Sequence, residues 1–278
     1  MISMKILLIV SIILLFCVLT LLTQVGGIVL LLSFLTHRFI DARTASKGWR
    51  TVWKFSCFIV FYFLVGLLIL PLLAKPFNRA PLPVFSQAYV KPLRAITWIC
   101  NRHYVRKDMI RVVNEAAAGM QQEYPGSVIN YLDAGFPLFN GYPLFPHLSH
   151  NDGKKLDLAF FYLSPDTYLP LNDAPSPTGY GICEEPRPGE QDMPASCSKK
   201  NWQYDLMKKL VPQSARNGFV FDSVRTKTLL GLLMAEPEIE KVFIEPHLKT
   251  RLGLTGSKIR FHGCNAVRHD DHIHIQMK

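Results

Sequence analysis

Five of the nine histidines fall in two short clusters. The first, P-H-L-S-H-N-D-G-K-K-L-D, carries His147, His150 and Asp157. The second, R-H-D-D-H-I-H, carries His269, His272 and His274. Neutral imidazole and carboxylate are good zinc ligands, and a catalytic zinc takes three protein ligands and keeps one position open. The two clusters offer more than three candidates, which leaves groups for acid-base work. Asp152, Asp270 and Asp271 are candidates for fixing imidazole tautomers. A single His beside an Asp is ordinarily a surface pair, but two such clusters flanked by strand pattern are harder to explain that way. Their interleaving with Asp and Ile is unlike an expression tag.

The elements that must position these residues can be read in part. DHIHIQM reads as a strand, on which residues two apart share a face. His272 and His274 then project together, and Ile273 turns into the core. LDLAFFYL (156–163) reads as another strand, opened by Asp157, whose charge would be costly in apolar surroundings without a partner. VINYLDAG and KVFIE read as further strands. Helical patterns cover 89–104, MIRVVNEAAAGMQQE with Asp108 as its cap, NWQYDLMKKL, VRTKTLLGLLMAE and HLKTRLG. Residues 164–200 form a long Pro-rich loop of a length that is usually functional or disordered. Strands and helices do not alternate regularly, so the fold class expected is α+β, a small antiparallel sheet with helices packed around the metal site.

Upstream, residues 1–74 hold two long apolar runs. Ile6–Leu35 is long enough to span a bilayer once, and longer than the apolar core of a signal peptide. Phe55–Ala74 can span as well. Between them lie Arg38, Arg43, Lys47, Arg50 and Lys54 against Asp41 alone, which puts this loop on the cytoplasmic side. The N-terminus and everything after Ala74 are then expected outside. Residues 75–88 read as a stiff Pro-rich linker, and 89–278 as the soluble domain.

The net charge of +10 favours polyanionic partners in general, but no nucleic-acid motif or basic face with interleaved aromatics is present. No Cys-x-x-Cys pair occurs, so a thiolate zinc site is not indicated. Of the six cysteines, Cys183 and Cys197 bracket the Pro-rich loop and form the more plausible disulfide pair.

The motif H-x6-D, with H-x-H far downstream, resembles the zinc peptidases that include D-Ala-D-Ala carboxypeptidases, vancomycin-resistance dipeptidases, the penicillin-insensitive murein endopeptidases and the hedgehog signalling domain. The likeness is nearest to the murein endopeptidases. It includes His147 and His269, each three residues before a ligand position, S-H-x-x-G-x-x-x-D from Ser149 to Asp157, and K-V-F-I-E-P-H-L-K. It covers roughly residues 108–278 and not the anchor. The resemblance implies a zinc ion held by His150, Asp157 and His274. It implies His272 as general acid or base, with His147 and His269 near the reacting centre. For an oxyanion formed there, His269 or Arg268 is the candidate stabiliser. The implied activity is hydrolysis of peptide bonds in peptidoglycan, most simply as a DD-endopeptidase on cross-links. A D,D-carboxypeptidase or amidase on stem peptides, and a non-catalytic metal-stabilised binding module, remain alternatives. Arg251, Lys258 and Arg260 are candidates for holding a substrate carboxylate. The 164–200 insert departs from the family pattern.

Overall fold

The computed structural model describes residues 4–85 and 89–278. The first apolar run forms α1 (Met4–Thr23), reverses at Gln24 and Val25, and returns as α2 (Gly26–Ser33). Gln24 ends α1 by adopting a left-handed φ of 68°. α2 packs closely on α1, since a Cβ on Gly27 would stand 2.7 Å from the Phe16 carbonyl oxygen; only glycine permits that approach. The run is therefore a helical reversal and not the single uninterrupted span expected. After α3 (His37–Arg43), α4 (Lys47–Leu64), a π-helical turn over Val65–Ile69 and α5 (Leu70–Ala74) continue as one rod to Phe77. The wide turn precedes Pro71, which has no N–H to offer the helix. α1 and the Lys47–Phe77 rod are each long and apolar enough to cross a membrane.

Thr20, Thr23 and Gln24 all hydrogen-bond to the soluble domain. α1 begins about 30 Å away, at 1.5 Å per residue.

The chain continues through β1 (Ala80–Pro81), β2 (Val90–Pro92), α6 (Ala95–Ile99) and β3 (Tyr104–Val105). The expected linker is partly built in: β1 pairs with β3, and Arg79 and Leu82 are buried. Its last residues, 86–88, lie outside the described ones. The single helix expected over 89–104 is replaced by β2, the short α6 and β3. α7 (Lys107–Glu123) buries Met109, Val112, Val113, Ala116 and Met120 along one stripe, as an amphipathic helix must. Asp108 lies in its first turn and not at the cap, which is Arg106.

β4 (Ile129–Tyr131), β5 (Lys155–Ala159), β6 (Tyr162–Leu163), β7 (Pro170–Leu171), α8 (Met193–Ser198) and α9 (Leu206–Leu210) follow. β8 (Val220–Phe221), α10 (Ser223–Ala235), β9 (Ile239–Phe243), α11 (Pro246–Arg251), β10 (Ile259–Arg260) and β11 (His272–Met277) complete the chain. The helix expected over NWQYDLMKKL is confined to α9. The expected strand 156–163 divides at Phe160 and Phe161 into β5 and β6. β6 instead joins β7 and β8 in a small sheet.

The principal sheet runs β10-β9-β11-β5-β4-β2. Its central pairs are antiparallel, but β10–β9 and β4–β2 are parallel. The class is α+β as expected, with a mixed sheet in place of a purely antiparallel one. One face of β5 and β11 sends Leu156, Leu158, Ile273 and Ile275 into a core shared with α7 and α10. Each such fully buried side chain stabilises the fold by about 1.5–3 kcal/mol. The other face carries Asp157, His272 and His274, so the packing that holds the strands also fixes the polar cluster.

Candidate metal centre

β11 and β5 are register partners, with His274 opposite Asp157 and His272 opposite Ala159. Residues directly opposite on neighbouring strands share a face within about 4.5–5.5 Å, so His274 and Asp157 meet by construction. His150 arrives from the loop after β4. Its Nδ1 donates to the Ala134 carbonyl at 2.7 Å, which leaves the Nε2 lone pair facing the strands. His150 Nε2 stands 3.2 Å from His274 Nδ1 and 3.3 Å from Asp157 Oδ1, and the last two atoms are 2.8 Å apart. Donor atoms around a tetrahedral zinc, bound at about 2.0–2.1 Å, are separated by about 3.3–3.4 Å. Two edges of the triangle match that spacing, and the third is somewhat tighter.

The triad fits a metal on a second ground. Asp157 is fully buried, yet its Oδ1 has no hydrogen-bond partner. An unpartnered buried carboxylate oxygen is costly, and a cation between it and the two imidazoles removes that cost. Burial alone would raise the Asp157 carboxyl, but His150, His272 and His274 override it and hold it well below the usual carboxylate range. Burial pushes His274 down to about 4, against the pull of Asp157, so it is neutral and ready to ligate.

His272 belongs to the same cluster with a different environment. Its Nδ1 meets Asp271 Oδ1 at 2.5 Å, and its buried Nε2 is unpartnered, 3.7 Å from Asp157 Oδ1. Burial disfavours its charged form, but Asp157 and Asp271 overcome this and hold its pKa up to about 9. His269, His272 and His274 form a second group whose ligand atoms also lie close enough to share an ion. Burial first, then His272 and His274, keep His269 well below its ordinary value, and its Nδ1 is unpartnered. His147 sits beside the triad, its Nδ1 2.9 Å from Asp133 Oδ2, which Arg102 holds in turn at 2.6 Å.

Two residues in the Pro-rich insert complete the support. The Tyr180 hydroxyl donates to Asp157 Oδ2 at 2.8 Å and accepts the Asp133 N–H at 3.0 Å. The Gly181 N–H donates to Asp271 Oδ2 at 2.6 Å. The insert therefore orients both the ligand carboxylate and the carboxylate behind His272. Its central residues are buried, not a detached loop. Sequence reasoning missed Tyr180. It also missed His262, exposed in the wall of the cleft, with its ring 5.1 Å from His269.

Several expected roles are corrected. Arg268 is buried and gives its donors to Asp270, Asp205 and Glu185, so it is not free to meet an oxyanion. Arg251 pairs with Glu190, and Lys258 donates to the Met234 and Glu236 carbonyls; neither is free for a substrate carboxylate. Asp270 holds Arg268, and Asp152 pairs with Lys155, so of the three candidate orienting carboxylates only Asp271 touches a site imidazole. The disulfide joins Cys197 to Cys264, and Cys183 is a buried free thiol. It ties α8 to the 262–268 loop that walls the cleft.

The cleft over the triad has a volume of about 370 Å³ and is lined by the five cluster imidazoles, His262, Leu148 and Asn265 among others. It is large enough for a few residues of peptide and opens directly on the metal-facing atoms. No protein-family model matches the chain, and no curated protein matches its sequence.

Proposed function

We propose that this chain is a membrane-anchored zinc peptidase that hydrolyses peptide bonds in peptidoglycan, as a DD-endopeptidase on cross-links. The observation that carries the reading is the buried, unpartnered Asp157 Oδ1 between His150 Nε2 and His274 Nδ1. His150, Asp157 and His274 would hold the ion, which would supply Lewis acidity and lower the pKa of a bound water to about 7. The ion would draw off the Asp157 charge that holds His272 up, and His272, with its Nδ1 held by Asp271, could then take a proton at Nε2. The same nitrogen can then give that proton to the departing amine. His269 and His147 flank the group that reacts. Leu148 and the 262–267 loop wall the cleft beside it.

The anchor and disulfide support a location outside the cytoplasm. The five basic residues from Arg38 to Lys54, against Asp41 alone, support a cytoplasmic position for that loop under the positive-inside rule, and so an outward-facing domain. Cys197–Cys264 suits an oxidising compartment.

Digesting muropeptides with the full chain and reading the products by mass tests this function. Conversion of cross-linked dimers to monomers supports it. Loss of a terminal D-Ala alone would replace it with a carboxypeptidase. Unchanged muropeptides with stoichiometric metal would replace it with a binding module.

A further inference from the structure

Beside the triad, two imidazole nitrogens are buried without a hydrogen-bond partner, His269 Nδ1 and His272 Nε2. Leaving such atoms unpaired is costly. A neutral His272 whose Nδ1 donates to Asp271 carries its lone pair at Nε2. A third imidazole, His262, stands exposed in the cleft wall with its ring resting on Phe243 at 4.3 Å.

The spacing of these rings is that of ligands to one ion. Imidazoles bound to a tetrahedral zinc at about 2.0–2.1 Å have ring centres about 5.2 Å apart. The His269 ring is 5.0 Å from that of His272 and 5.1 Å from that of His262. The ligand atoms of His269, His272 and His274 also lie within 4.8 Å of one another. His274 Nδ1 already faces Asp157 in the triad, so the group left for another ion is His269 and His272, with His262 as the third donor. Imidazole suits zinc and its softer neighbours among the divalent metals.

We propose that His269, His272 and His262 form a second, weaker zinc site, and that filling it switches the peptidase off. An ion on His272 Nε2 takes the lone pair that would accept the proton from water. The second set is weaker for two reasons. It contains no carboxylate, whereas the triad contains Asp157. His272 Nε2 is also only 3.7 Å from Asp157 Oδ1, so the two ions are close neighbours and repel each other. The inference rests on the peptidase reading above, with the first ion in the triad, and adds control of the same cleft by free zinc.

The test titrates zinc into the chelator-stripped full chain by calorimetry, and follows cleavage of a cross-linked muropeptide across the same zinc range. The expected result is a tight step and a second one weaker by about a hundredfold or more. Turnover should rise through the first and fall through the second. His269→Gln should abolish the weak step. His262→Ala should move it about tenfold or more to higher zinc, since losing even a partner behind a ligand weakens affinity by about 10–100-fold. Both variants should keep the tight step. A single step that His269→Gln leaves intact, or a weak step that neither variant alters, overturns the second site while the peptidase reading stands. Turnover unchanged through the weak step overturns the switch. A single step lost in His269→Gln but kept in His150→Ala would place the only ion on this group and remove the triad, and with it the peptidase reading and this inference.

Discussion

His274 and Asp157 face each other across β11 and β5, and their Nδ1 and Oδ1 atoms stand 2.8 Å apart without a hydrogen bond to Oδ1. Such a pair is costly when bare and favourable around a cation. Metal binding should therefore stabilise the folded domain. With free metal at a hundred times Kd, the gain is about 2.7 kcal/mol. Chelation should lower the unfolding midpoint by about 5–10 °C for a domain of this size. Scanning calorimetry with and without a chelator checks it; an unchanged midpoint would count against the site.

Tyr180→Phe removes the donor that orients Asp157 Oδ2 and leaves the Asp133 N–H without its acceptor. Loss of an orienting partner of this kind weakens metal affinity by about 10–100-fold. Competition with a fluorescent chelator measures it. Retention of the parental affinity would show that Asp157 is positioned by its strand alone.

The contrast between Asp157 and Tyr180 shows what could be read from sequence. His272, Ile273 and His274 declare their faces through period-two alternation, and Asp157 declares itself as a charge inside an apolar strand. Those signals are local, and the α+β class follows from the same local patterns. Tyr180 reaches Asp157 from a Pro-rich segment with no period, so nothing nearby marks its partner. The Cys197–Cys264 bond was misread for the same reason, since proximity along the chain favoured Cys183. The reversal at Gln24 was hidden because a glutamine carries no turn signal, although the Gly26-Gly27 pair that permits the close packing was visible. Arg268 illustrates a further gap: a free cation and one held by three carboxylates look alike in sequence.

Glu245 gives a pH signature outside the metal ligands. Burial, then Asp270, raise its carboxyl from 4.5 to about 7. Between those values the folded chain keeps a proton that the unfolded chain has lost, so stability falls as pH rises. The loss is complete above the folded value and amounts to roughly 3 kcal/mol. Glu245→Gln retains an acceptor for the Tyr204 hydroxyl, which donates to Glu245 at 2.6 Å, and cannot ionise. Unfolding midpoints from pH 4.5 to 8 should fall less steeply in the variant than in the parent. Parallel slopes would exclude Glu245 as the source.

Reducing Cys197–Cys264 releases the 262–268 wall of the cleft from α8. Bonds closing long loops contribute typically 2–4 kcal/mol. Reductant should lower the unfolding midpoint of the parent and have no effect on a Cys197→Ser, Cys264→Ser double variant. Equal sensitivity of the two proteins would show that reductant acts elsewhere.

The most direct measurement is metal content per chain, by mass spectrometry of the gently purified full-length protein and three variants. The account expects one zinc in the parent, none in His150→Ala or Asp157→Ala, and one in His272→Ala, which has lost turnover. Absence of stoichiometric metal from the parent would contradict the central claim. Metal kept by His150→Ala but lost from His272→Ala would move the ion to His269, His272 and His274.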